Sequence, residues 1–71
     1  MLKIWTAIMA DEEIEKMEKA LVRLGSDIAD YDKSKKFNLY GMDVTVYTII
    51  CTSKTLEKIN KMCGTHTLYE I

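Results

Sequence analysis

Met42-Asp43-Val44-Thr45-Val46-Tyr47-Thr48-Ile49-Ile50-Cys51-Thr52 is the strongest β signal in the chain. β-Branched and aromatic residues dominate it, and no Gly or Pro interrupts it. Toward the C-terminus, Thr52 or Ser53 caps a helix carrying Leu56, Ile59 and Met62 or Cys63 on one side. Gly64 closes that helix, and Thr65 to Ile71 reads as a last strand. Toward the N-terminus, Lys33-Ser34-Lys35-Lys36 reads as a turn or a mobile hairpin tip. Phe37 to Tyr40 can extend either neighbouring strand, and Asp27 to Lys33 is a polar edge strand.

The first third completes the pattern. Leu2 to Met9 is a short apolar strand. Asp11 is the expected N-cap of a helix, with Glu12, Glu13 and Glu15 at the positive end of its dipole. Ile14, Met17, Leu21 and Leu24 form its apolar stripe, Glu12/Lys16 and Glu15/Lys19 its solvated i,i+4 pairs, and Gly25 its C′ residue. The order is βαββαβ. It predicts an α+β, ferredoxin-like domain over residues 1–71: a four-stranded antiparallel sheet with both helices on one face. The first and third strands are central in that arrangement.

Composition narrows the classes of function. The chain has 71 residues, 48% hydrophobic and 30% charged, which suits a folded domain rather than a disordered segment. No apolar run approaches the roughly 20 residues of a membrane helix, and Met1-Leu2-Lys3-Ile4-Trp5 is not the start of a signal peptide. A net charge of −1 points to no polyanionic partner. Two cysteines without a dense framework indicate a reducing compartment, hence the cytoplasm. Lys and Ile richness suggests an AT-rich bacterial or phage source. A core this small supplies only about 3–5 kcal/mol unaided, so a second copy or a partner is expected to complete it.

Strand alternation indicates where such a partner would sit. Leu2, Ile4, Thr6 and Ile8 share one face of the first strand; Met42, Val44, Val46, Thr48 and Ile50 share one face of the third. These are the more aliphatic sets, and they are assigned to the helix-covered core. Trp5, Met9, Tyr47 and Ile49 are then left on the bare face as the candidate interaction surface. A homodimer seam or the docking site of another protein would cover them.

The chemistry-bearing residues form weaker patterns. Cys63 and His66 have a ligand-like spacing, but Cys51 is the single further soft ligand, short of zinc's four. Cys63 reads instead as a small core residue. Asp27, Asp30, Asp32 and Asp43 match no cation-binding loop and read as polar edge residues. No glycine-rich phosphate loop and no nucleophile elbow is present, so no catalytic residue, metal or cofactor is assigned. Trp5 and Tyr47 on central strands are the geometry by which RNA-recognition modules stack bases. Against this, the third strand is not basic and the Lys33, Lys35 and Lys36 group is small, so nucleic acid is a disfavoured partner.

Gly25-Ser26-Asp27-Ile28-Ala29, and Leu56-Glu57-Lys58-Ile59 through Gly64 to Leu68, resemble ACT regulatory domains in element order and spacing. That resemblance implies a ferredoxin-like fold, pairing through sheet edges or helices, and an amino-acid ligand held between subunits. The ligand loop it implies is Met9-Ala10-Asp11-Glu12-Glu13. The preferred expectation is a non-enzymatic protein that docks on a macromolecular partner to modulate or inhibit it, as a phage or mobile-element inhibitor does. The alternatives are an ACT-like metabolite sensor and a binder of single-stranded nucleic acid.

Overall fold

The computed structural model describes residues 1–64 and the backbone of residues 68–70. Strand β1 spans Leu2–Ala10 and passes directly into helix α1, Asp11–Arg23. A 3₁₀ turn over Gly25–Asp27 leads into β2, Ile28–Lys33. β3 covers Phe37–Leu39, β4 Met42–Thr52, α2 Ser53–Cys63 and β5 Leu68–Glu70. The sheet order is β2-β4-β1-β5, with β3 also paired to β4. β2 and β3 lie along the same edge of β4 and act as one interrupted strand. This is the ferredoxin-like α+β arrangement, with β1 and β4 at its centre.

The β1–β4 ladder runs without a break from Leu2↔Thr52 to Ala10↔Val44. That unbroken pairing changes how α1 begins. Ala10 stands at the N-cap position and offers no side-chain bond, while Asp11 is the first helical residue rather than the cap. Its carboxylate favours the helix N-terminus and holds Lys36 Nζ at 2.9 Å. Gly25 likewise is not an αL C′ residue; Leu24 ends α1, and Gly25 opens the 3₁₀ turn. α2 follows the expected pattern: Thr52 Oγ1 accepts the Thr55 N–H at 3.3 Å, and Gly64 adopts φ 72°.

Lys33–Lys36 is not a hairpin tip. Lys33 ends β2 and ion-pairs with Glu18 of α1 at 2.8 Å. Ser34 exchanges two bonds with Val46, its N–H donating at 2.9 Å and its Oγ accepting at 3.0 Å. The reversal lies at Tyr40-Gly41, with φ 52° and 82°, the positive pair that a two-residue type I′ hairpin loop demands. It sets the register Phe37↔Val44, Asn38↔Asp43 and Leu39↔Met42. Asn38 Oδ1 accepts the Gly41 N–H at 3.1 Å.

Tyr40 is fully exposed, so its left-handed backbone is not offset by packing of its ring. Tyr40→Asn should therefore raise stability by about 0.5–1 kcal/mol, because Asn tolerates αL and Asn-Gly is the preferred I′ pair. A urea midpoint that stays put or falls would contradict this account of the turn.

The core lies between the sheet and the two helices. Trp5, Ala7 and Met9 of β1, Tyr47, Ile49 and Cys51 of β4, Met17, Ala20 and Leu21 of α1, and Leu56, Ile59 and Cys63 of α2 form it. This reverses the face assignment made from the sequence. Trp5, Met9, Tyr47 and Ile49 are not a bare interaction surface; they are 0–7% exposed beneath the helices. Leu2, Ile4 and Ile8, expected inside, are 46–55% exposed.

The reason is steric. Both faces of β1 and β4 are apolar, so counting aliphatic residues cannot separate them. Helices approach closely where small residues alternate with large ones. Ala7 and Cys51 supply the small positions on the sheet, and Ala20 does so on α1. The aromatic residues stay satisfied there: Trp5 Nε1–H donates to the Cys51 carbonyl at 3.1 Å.

Candidate functional site

With the helices on one side, the other side of the sheet is open. Cross-strand register defines its membership. Ile4↔Ile50, Thr6↔Thr48 and Ile8↔Val46 are direct pairs along its centre. Phe37↔Val44 and Leu39↔Met42 continue it into the β3–β4 hairpin. Leu2, Ile4, Ile8, Phe37, Leu39 and Met42 are each 36–55% exposed. Thr6, Val46, Thr48 and Ile50 are half-buried between them, and Val44 is covered.

Among the described strand residues, charge on this face lies along β2. Asp30 pairs with Ile50 and Asp32 with Thr48, which places both on the open face along β2. Their carboxylates accept the N–H of the next residue, Tyr31 at 2.8 Å and Lys33 at 2.9 Å. Asp43 pairs with Asn38 on the opposite face, and Asp27 lies in the 3₁₀ turn. The four aspartates are therefore not brought together. Among the described residues no three His, Cys, Asp or Glu side chains form a metal-binding group. His66 lies outside the described residues, so the Cys63–His66 pair has no described geometry.

The helix-covered side has its own polar anchor. Tyr47 Oη–H donates to Glu18 Oε1 at 2.8 Å, and Lys33 Nζ reaches the same oxygen at 2.8 Å. The bonds from Lys33 and then Tyr47 hold the Glu18 carboxyl below its ordinary range. Burial, then the bond to Glu18, pushes the Tyr47 phenol upward. This group ties β4, α1 and β2 together. Burial also pushes the Cys51 and Cys63 thiols upward, away from the reactive thiolate.

Two expected binding geometries are absent from the positions assigned to them. Trp5 and Tyr47 are covered by helices and present no ring on which a base could stack. The β1–α1 junction contains no loop: Met9 and Ala10 are strand and Asp11–Glu13 are helix, so the ligand loop that the resemblance implies is not formed there. Among the described residues no helix is long and apolar enough to cross a membrane.

No family model matches the chain, and no curated protein matches it. Among solved structures, it is similar to an uncharacterized protein, TM1266, from Thermotoga maritima. The likeness has a TM-score of 0.57 at 11% identity and covers 99% of this chain and 90% of that one. At such identity it shows the fold alone.

Proposed function

We propose that this is a non-enzymatic interaction protein of the cytoplasm that works by docking its open sheet face on another protein surface. A modulating or inhibiting role fits a domain whose main chemical asset is a contact surface. One observation carries the reading: six large apolar side chains, 36–55% exposed, gather on one face of the sheet. Isolated exposed apolar residues are ordinary, but a contiguous group of this kind marks a contact surface. Two unpaired, buried cysteines suit a reducing compartment.

The test is photo-crosslinking in cells with benzophenone-alanine at Ile8, against the same label at the solvent-exposed Glu57 of α2. Discrete protein adducts at Ile8 and none at Glu57 are expected. Equal, diffuse labelling at both positions would defeat the docking reading.

A further inference from the structure

We infer that the occupant of the open sheet face is a second copy of this chain, the two sheets packing face to face with the helices outermost. This rests on the docking reading and names its partner.

Size is the first argument. Nine residues in β1, six in β2, eleven in β4 and three each in β3 and β5, rising about 3.4 Å per residue in strands about 4.8 Å apart, make a face of roughly 500 Å². One side of a standard protein interface is about 800 Å², and weaker specific interfaces fall below about 600 Å² a side, the class this face reaches. A second copy supplies a matching face without any further component. Shape is the second argument. The β1–β4 ladder has no bulge across nine paired residues, so the centre is a continuous sheet surface rather than a groove for a peptide. Such surfaces stack on one another about 10 Å apart, with side chains interdigitating.

Charge is the third argument, and it selects the symmetry. Among the described strand residues, Asp30 and Asp32 are the charges on this face, both along β2. A two-fold axis parallel to the strands, lying between the sheets, sets β2 of each copy across from the β5 side of the other. The acidic margins are then separated by the sheet's width, while Ile4 and Ile8 of one copy meet Val46 and Ile50 of the other. An anionic lipid surface or a nucleic acid would instead meet an acidic margin. Of the lysines beside that margin, Lys33 and Lys36 are engaged by Glu18 and Asp11.

Sedimentation equilibrium of the full chain, up to about 100 μM, is the first measurement. A dimer is expected, with Ile8→Asp raising its dissociation constant ~100-fold or more, and Val22→Asp, on the outer side of α1, leaving it unchanged. Ile8 is half exposed, so circular dichroism of the Ile8→Asp monomer should show retained secondary structure. A second measurement needs no apolar-to-charged change. A nitroxide on Thr6→Cys, at mid-face, labels selectively because Cys51 and Cys63 are buried. Its distance to the same label in the other copy should be within ~20 Å, given sheets ~10 Å apart. A dimer with these labels farther apart, or one insensitive to Ile8→Asp, is joined elsewhere and overturns the inference. A monomer throughout the range also overturns it. If Ile8 still gives discrete crosslinks to other proteins in cells, the docking reading survives; if it does not, that reading falls too.

Discussion

Trp5→Ala should unfold the chain. Trp5 is 7% exposed, belongs to the core cluster, and donates its indole N–H to the Cys51 carbonyl across the sheet. Truncating a buried Trp commonly costs about 3–5 kcal/mol, which equals the whole of what a core this small supplies. Loss of the donor adds to that, since the Cys51 carbonyl sits at a residue with no exposure. Far-UV circular dichroism of Trp5→Ala should show loss of ordered structure at 25 °C, while Trp5→Phe keeps the fold at a lower urea midpoint. A cooperatively folded Trp5→Ala protein with a near-normal midpoint would mean that the indole contributes little to this core.

The next largest effect is expected at Glu18. Tyr47 is fully buried, and its hydroxyl has Glu18 as its acceptor. Glu18→Ala strands that hydroxyl, at about 1–3 kcal/mol. Tyr47→Phe removes the polar atom along with the bond and should cost less. Combining the two should therefore be milder than the sum of the single changes.

The pH dependence follows from the same contacts. Glu18 has a folded value held below its ordinary 4.5. Its contribution is whole above 4.5 and is lost as pH falls through the lower folded value. Tyr47 is raised above its ordinary 10.0, so its contribution is whole below 10.0 and declines as pH climbs beyond it. Urea midpoints at fixed protein concentration should show a shallower acid limb for Glu18→Gln and a shallower alkaline limb for Tyr47→Phe. Unchanged slopes in both would show that this hydrogen-bonded group does not govern the pH response.

The sequence carried the element order because local signals agree with the tertiary arrangement. The eleven-residue run from Met42, the acidic first turn at Asp11 to Glu13 and Gly64 at the end of α2 each act over a few residues. It did not carry the sidedness of the sheet. Both sets of strand residues are apolar, and the deciding quantity, how near α1 and α2 come to the sheet, depends on residues distant in sequence. Ala7, Cys51 and Ala20 were the available signal, since small residues admit a close helix. The hairpin was misplaced for a related reason. Four polar residues at Lys33–Lys36 look more like a turn than Tyr40-Gly41, until Ser34 is seen to bond to Val46 through both its backbone N–H and its hydroxyl.

The central position of β1 has a consequence for the order of assembly. Its partners run from Leu2↔Thr52 to Ala10↔Val44, so β1 pairs along most of β4, a strand that is made well after it. The β3–β4 hairpin, closed by a two-residue loop, can form while the C-terminal part is still being made. β1 can begin to pair, at Ala10↔Val44, only once Val44 has left the ribosome, and it completes its ladder when Thr52 has emerged. Closing so long a loop comes late, and it slows folding relative to helical domains of similar size. Until then Leu2 to Ala10 is a strand with apolar residues on both faces and no partner, and it is the segment that a chaperone or an aggregate would capture first.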